Sequence, residues 1–229
     1  YIGLTDILAI LSHYNNEWPP WQCGDPLEYH GYDYETVQIG EQCWFAENLR
    51  TDEYNDGQSI FNGVSSAEWW SSEAIEGAFC LYGQGDSPCE YYGDQDVCED
   101  LSDSTFLYNW YAVNNPSSLC PSGWSVPSDS SWMELEAFMG IVEEELGSVG
   151  FRGEELGHVL KSSTLWLNPN TGNILGEDLF GFNALPFGQR ITEGYFSVFG
   201  HDAQFWTSTS NPLDENAIYR SLHSNIQGI

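Results

Sequence analysis

Basic side chains are almost missing from this sequence: five Lys and Arg stand against 35 Asp and Glu, a formal net charge of −30 over 229 residues. A nucleic acid would be repelled and would find no basic patch on which to release its counterions, and a bare anionic membrane is disfavoured for the same reason. No apolar run approaches the roughly 20 residues of a membrane-spanning helix, so direct membrane insertion is not expected. The opening Tyr1-Ile2-Gly3-Leu4-Thr5-Asp6 has neither the basic flank nor the apolar stretch of a signal peptide and reads as a mature or trimmed start. Catalytic signatures are missing as well. There is no His-Glu-x-x-His, no Gly-x-x-x-x-Gly-Lys and no Gly-x-Ser-x-Gly, and His13, His30, His158, His201 and His223 stand apart as surface or packing residues.

What is present describes a folded chain. Hydrophobic residues make up 41% and aromatics 15%, with ten Trp, enough to build a sizeable core in one main domain. Six cysteines, Cys23, Cys43, Cys80, Cys89, Cys98 and Cys120, include no Cys-x-x-Cys pair, which argues against a zinc ribbon and for disulfides in an oxidising compartment. Cys89 and Cys98 bracket a short Gly/Asp-rich loop and are natural partners, and Cys23 with Cys43 is a second candidate pair. Six cysteines nevertheless allow fifteen connectivities. The five cations, Arg50, Arg152, Lys161, Arg190 and Arg220, are expected in fixed structural partnerships with carboxylates or backbone carbonyls.

Two regions are expected. Residues 1–21 hold a segment with apolar positions Leu4, Ile7, Leu8 and Leu11, the one-face spacing of an amphipathic helix, followed by the stiff linker Glu17-Trp18-Pro19-Pro20-Trp21. Its Ile2-Gly3-Leu4-Thr5-Asp6 phrase resembles the end of a dockerin-type calcium loop. From residue 22 to 229 the pattern becomes short strands, turns and isolated helices. Tyr34 to Gly40 alternates polar with apolar residues and turns through Gly40-Glu41-Gln42 into Cys43-Trp44-Phe45, a hairpin. Phe106 to Val113 is expected to be helical. Ser128 should cap a helix carrying Trp132, Leu135, Phe138 and Met139 and ending at Gly140, and a further helix is expected over Glu154 to Lys161. Phe205 to Thr209 and Ala217 to Leu222 read as strands. Strands before and after central helices imply an α+β class.

Several blocks together resemble the Fibrobacter succinogenes major paralogous domain, a family of secreted bacterial surface proteins. They are Tyr34 to Arg50; Leu107 to Val113 running on to Leu119-Cys120-Pro121-Ser122-Gly123-Trp124-Ser125-Val126-Pro127-Ser128-Asp129; Arg152-Gly153 with Gly157 and Leu160-Lys161-Ser162-Ser163; and Gly181-Phe182-Asn183-Ala184-Leu185-Pro186 with Gly188, Arg190, Phe205-Trp206-Thr207-Ser208-Thr209 and Tyr219-Arg220-Ser221-Leu222. The resemblance spans about residues 30 to 222 and includes all five cations. It implies, by analogy, a loop-rich, disulfide-stapled C-type-lectin-like fold, a mixed sheet with flanking short helices. The family carries His where Ser125 stands and closes with a strand bearing a Gly-Phe-Ser-Val-Arg-Cys phrase absent here. The resemblance therefore implies a missing partner for Cys120, with Cys80 as the fallback. The Glu-Pro-Asn, Gln-Pro-Asp and Trp-Asn-Asp triplets of calcium-dependent lectins do not occur.

Two kinds of site are expected. Asp94, Asp96, Glu99, Asp100 and Asp103, alternating oxygen ligands around Cys98, suit Ca²⁺, and the turn Asp52-Glu53-Tyr54-Asn55-Asp56-Gly57 is a weaker candidate. The alternative for both is a solvated acidic turn. Trp44, Trp110, Trp124, Trp132 and Trp206 are expected in the core, whereas Trp18, Trp21, Trp69 and Trp70 are expected to be exposed and to bind ligand. The leading expectation is a non-catalytic extracellular module of a larger bacterial protein, exposed at the cell surface and adhering to a surface glycan or protein. The competing expectations are a calcium-stabilised subunit of an extracellular assembly, meeting copies of itself, and a secreted hydrolase or protein-modifying enzyme, since two catalytic carboxyls can lie far apart in sequence.

Overall fold

A computed structural model describes residues 20–63, 77–82, 106–154, 156–166, 176–191, 194–211 and 217–229. Among them the architecture is mixed, with small sheets, few helices and one disulfide, which is an α+β arrangement. The helix expected near the amino terminus and the segments carrying Trp18, Trp69 and Trp70 lie outside the described residues.

Strands β1 (Leu27–Tyr29) and β2 (Tyr32–Tyr34) form one hairpin, and β3 (Thr36–Ile39) and β4 (Gln42–Phe45) form the next. The second is the hairpin written in the alternating sequence: Val37 and Ile39 face the main core, Gln38 turns outward, and Gly40 takes φ +61 in the two-residue loop. Strand β5 (Phe61–Asn62) lies parallel to β6 (Ala78–Leu81), which pairs antiparallel with β7 (Phe106–Tyr108).

The expected helix over 106–113 is split. Its first half is β7, and only Trp110–Val113 is helical (α1). Asn109 makes the break, because its side-chain oxygen accepts hydrogen bonds from Ala78 N at 3.0 Å and Ala112 N at 2.9 Å. One side chain thus holds the neighbouring strand and caps the helix. Helix α2 (Asp129–Met139) begins at Ser128, whose hydroxyl accepts from Ser131 N, and ends at the left-handed Gly140. A short α3 (Glu143–Leu146) follows.

In place of a helix over 154–161, a single 3-10 turn covers Gly157–Val159. There Gly157 packs against the last residues: a Cβ at this position would sit 2.6 Å from the Gly228 carbonyl oxygen. The chain then turns inward through buried Leu160 and Lys161 instead of completing a helical turn. Strands β8 (Gln189–Arg190) and β9 (Phe196–Ser197) pair, and the long hairpin of β10 (Asp202–Ser210) and β11 (Ala217–His223) closes the domain.

The main core lies between α2, the β3–β4 hairpin and the β10–β11 hairpin. Trp132 is its centre, with Trp44 at 5.2 Å, Phe205 at 5.6 Å and Phe182 at 5.7 Å between ring centroids. Tilted and edge-on pairs of this kind add about 0.5–1.5 kcal/mol each beyond the area they bury. Phe138 departs from the expected apolar face and is 55% exposed. The position one turn on from Trp132 is instead Glu136, which is fully buried. A second cluster gathers Tyr54, Ile60, Phe79, Ala112 and Leu119. The two phrases Trp124 to Asp129 and Trp206 to Thr209 meet directly: Ser208 N donates to Pro127 O at 2.9 Å, and Asp129 N donates to Thr209 Oγ1 at 3.0 Å.

Candidate functional site

Four of the five cations are held inside the protein. Arg152 presents Nε and Nη2 side-on to Glu136 at 2.9 and 3.0 Å, while Arg220 Nε donates to the same carboxylate at 2.7 Å. Arg220 Nη2 also lies 2.7 Å from Asp129 Oδ1, an ionic contact whose angle is outside hydrogen-bonding range. Lys161 donates its ammonium protons to His223 O at 2.9 Å and Ile226 O at 3.1 Å, and Arg190 donates to Gly194 O and Gly63 O. Arg50 differs, because 22% of its side chain remains exposed.

Arg50 lines a shallow depression of about 270 Å³ whose polar lining also includes Glu35, Glu47, Asn48 and Asn183. Its Nη2 donates to Glu47 Oε2 at 2.6 Å, and Glu47 Oε1 in turn accepts from Glu35 N at 3.0 Å. The guanidinium carbon stands 4.7 Å from the Tyr32 ring centroid and 5.8 Å from that of Tyr34, and Arg50 N donates to the Tyr34 hydroxyl at 3.0 Å. Hydrogen bonds and ring stacking therefore fix this guanidinium before any ligand arrives. Burial raises the Tyr34 hydroxyl pKa, keeping it a neutral partner.

From Tyr34 a row of aromatic rings leads outward. Tyr34 stacks on Phe45 at 5.0 Å, Phe45 lies 4.6 Å from Trp124, and Trp124 meets the edge of Trp21 at 5.7 Å. Trp21 is 44% exposed, and Trp124 and Phe45 are half-buried. The hairpins β1–β2 and β3–β4 position most of this row, and the Cys23–Cys43 disulfide ties the segment after Trp21 to β4. A second aromatic group joins Trp110, Trp206 and Tyr219, with centroid separations of 5.7 and 6.0 Å. Trp110, Trp124 and Trp206 are thus half-exposed and not core, whereas Trp166, which no motif singled out, is fully buried.

The cysteines need one correction. Cys80 and Cys120 do not pair with each other: both are buried free thiols, Cys80 on β6 beside Arg190 and Cys120 in the second cluster. Burial pushes Cys80 up to about 11 and Cys120 up to about 12. They occupy different parts of the interior because β6 faces the Tyr82 and Phe196 rings, while the 119–120 segment packs on Tyr54 and Phe79. Cys89 and Cys98 lie outside the described residues, as do Asp94, Asp96, Glu99, Asp100 and Asp103.

Among the described residues, no three or more His, Cys, Asp or Glu side chains converge as a metal would require. The turn over 52–57 is closed by its own bonds, Tyr54 N to Gln58 O at 2.8 Å and Ile60 N to Asp52 O at 2.7 Å. Asp56 accepts from Ser117 Oγ and Gln58 N, and these bonds, the serine foremost, hold its pKa below the usual carboxylate range.

The histidines form one group that their spacing in the chain did not announce. His223 Nε2 lies 3.4 Å from Asp202 Oδ1, and His201 Nδ1 is 3.1 Å from Ser224 Oγ. Burial raises the Asp202 pKa, against the opposing pull of His223, and burial lowers Lys161 to about 8. Asp202, Ser224 and Lys161 are all buried, so this polar group locks the end of the β10–β11 hairpin to the chain around Lys161. His30 bonds Thr51 Oγ1 through Nδ1 and stacks on Tyr29, and His158 approaches Glu177 at 3.7 Å.

No helix among the described residues is long and apolar enough to cross a membrane. No curated protein and no solved structure matches the chain. The family profile of the Fibrobacter succinogenes major domain matches residues 37–227, a span holding both Arg50 and the buried Arg152–Glu136–Arg220 group. The chain belongs to the Fibrobacter succinogenes major domain family.

Proposed function

We propose that this domain is a non-catalytic extracellular binding module of a bacterial surface protein, and that it holds its ligand along the row Trp21–Trp124–Phe45 and in the depression beside Arg50. The observation that carries the reading is the exception among the cations. In a chain with five basic residues, the one whose side chain is left partly exposed is stacked on tyrosines in the lining of a depression and continued by half-exposed aromatics. Aromatic and Arg side chains are the usual anchors of recognition surfaces because they offer large contact area with few torsions to freeze. The disulfide supports placement in an oxidising space outside the cytoplasm. A C-type-lectin-like arrangement, with the Trp124 and Trp206 phrases joined at the centre, is part of the same proposal.

The test is binding of the purified domain to glycan and protein arrays, repeated with Trp21→Ala. That substitution removes an exposed ring, so the fold is expected to be kept while array binding falls by about tenfold or more. Undiminished binding would remove the ridge from the site.

A second reading, a subunit of an extracellular assembly, is favoured by a separate feature. Phe138 is 55% exposed and touches Phe180, next to Leu179 at 62%, an apolar patch of the kind that meets neighbouring copies. Light scattering with and without Ca²⁺ separates the two: calcium-driven oligomers that vanish in Phe138→Ser support assembly, and a monomer under both conditions supports the binding module.

A further inference from the structure

We infer that the depression beside Arg50 takes a single neutral hydroxylated ring, the terminal pyranose of a glycan; the inference rests on the binding-module reading above and names its ligand class. Size is the first argument. At about 270 Å³ the depression lies just under the range of pockets that enclose drug-sized molecules, roughly 300–1,000 Å³, and so suits about one sugar ring and not a polymer segment laid lengthwise. A chain end can enter it while the next unit rests on the half-exposed aromatics outside.

The lining is the second argument. Leu185 and Phe187 supply apolar surface of the kind that meets the C–H face of a pyranose, and Glu35, Glu47, Asn48, Arg50 and Asn183 bring acceptors and donors suited to adjacent hydroxyls. An amide and a carboxylate side by side can accept from one hydroxyl and donate to the next, a pattern that a ring of alternating hydroxyls satisfies. The guanidinium is held by Glu47 and stacked on Tyr32 and Tyr34, so binding freezes little additional motion. Asn183 is likewise fixed, because its Nδ2 donates to Ala46 O at 3.2 Å.

Charge selects against anionic sugars. Glu47 pairs with Arg50 at 2.6 Å and neutralises it, leaving the Glu35 carboxylate as the residual charge of the lining. A uronate would approach that carboxylate through the field of a chain carrying −30.

Calorimetric titration of the intact chain tests this with methyl glycosides of glucose, galactose, mannose, xylose and N-acetylglucosamine, alongside glucuronate and galacturonate. At least one neutral glycoside is expected to bind with a dissociation constant of about 1 mM, and its uronate about tenfold more weakly. Glu35→Gln is expected to narrow that gap to roughly threefold, since it removes the charge that a uronate meets. Arg50→Gln and Asn48→Ala are each expected to weaken the neutral sugar by about tenfold. Asn48→Ala keeps the test open if Arg50→Gln perturbs the fold. Failure of every neutral glycoside to bind, a uronate binding as tightly as its parent, or wild-type affinity in Asn48→Ala overturns the inference. If array binding still falls in Trp21→Ala while no monosaccharide competes, the module reading stands and the single-ring assignment falls. If neither the Trp21 nor the Arg50 substitution alters array binding, both fall.

Discussion

Glu136→Gln is the most informative single change in this protein. The carboxylate is fully buried and carries two guanidinium groups, Arg152 through two bonds at 2.9 and 3.0 Å and Arg220 through one at 2.7 Å. Gln is nearly isosteric, so the cavity cost is negligible and the loss is the charge together with one acceptor, whose place an amide N–H2 takes opposite an arginine donor. What remains is two cations in the interior with Asp129 beside one of them. Breaking a buried pair by removing one partner costs about 3–5 kcal/mol, because the residual charge stays desolvated. An exposed pair such as Arg50–Glu47 is worth at most about 1 kcal/mol, so Glu47→Gln is the matching control. In urea, with a slope of about 3 kcal/mol/M, the expected loss lowers the midpoint of Trp fluorescence by roughly 1–1.7 M. By calorimetry it lowers Tm by about 6–20 °C for a chain of this size. A Glu136→Gln protein within about 1 kcal/mol of the wild type would refute the reasoning, since the group could not then be a desolvated charge relay. Replacing Glu136, Arg152 and Arg220 together by apolar residues of similar volume is expected to recover much of the loss.

Other expectations concern covalent and titrating groups. Cys23→Ser with Cys43→Ser opens a link between residues separated by 20 positions, which loop-closure entropy values at about 3 kcal/mol; an unchanged urea midpoint would show that the bridge adds nothing. Alkaline pH should expose the buried thiols. Their ordinary pKa is near 9, and burial raises them to about 11 and about 12, so above pH 9 the unfolded chain releases two protons that the folded chain keeps, and stability falls. Lys161 acts oppositely: lowered from 10.5 to about 8, it lets the unfolded chain hold a proton that the folded chain has lost, so its contribution rises with pH through that window. Between pH 9 and 10 the two thiols and Lys161 together contribute a fall of about 1.4 kcal/mol per pH unit, and Cys80→Ala with Cys120→Ala is expected to remove most of the fall. A slope unchanged by the double substitution would refute the assignment.

The parts of the fold legible in the sequence are those where pattern and local chemistry agree. The β3–β4 hairpin follows from strict alternation and a glycine at the turn, and α2 follows from Ser128 and Gly140 at its ends. The misread parts are those where a distant contact overrides the local signal. Phe106 to Val113 has aromatic and aliphatic residues compatible with either state, and the Asn109 side chain, bonded to Ala78 across the sheet, decides the matter. The stretch 154–161 makes only a 3-10 turn because Gly157 N donates to Gln227 O across the fold and not to a carbonyl one turn back. Periodicity in α2 correctly marked Trp132 and Leu135 but gave the next inward position to Phe138. Glu136 occupies it because two of the scarce arginines neutralise it. A signal existed, an acid one turn from a buried Trp in a chain whose cations need partners. At the candidate site, Trp21 was identifiable from its proline-rich surroundings. Trp124 and Phe45 were not, since half-exposure depends on which neighbours cover them.

Salt concentration distinguishes the two origins of the acidity. With four of its five cations inside, the protein presents a surface on which exposed carboxylates meet few opposite charges, so folding works against self-repulsion. Screening shortens the reach of that repulsion from about 30 Å at 0.01 M to about 10 Å at 0.1 M and about 3 Å at 1 M salt. If general repulsion dominates, Tm rises steeply over the first increments of NaCl and levels off, and Ca²⁺ at equal ionic strength adds only a modest, unsaturating gain. If the carboxylates of Asp94, Asp96, Glu99, Asp100 and Asp103 bind calcium, Ca²⁺ gives a further rise that saturates with concentration, and Asp94→Ala with Asp96→Ala removes most of it. The substitutions are decisive because they also lower the net negative charge. Under repulsion alone they raise Tm in low salt, whereas loss of a site lowers Tm in calcium, so the two accounts predict opposite signs. A Tm independent of NaCl from 0.01 to 1 M, each value approximate, would refute the repulsive surface itself.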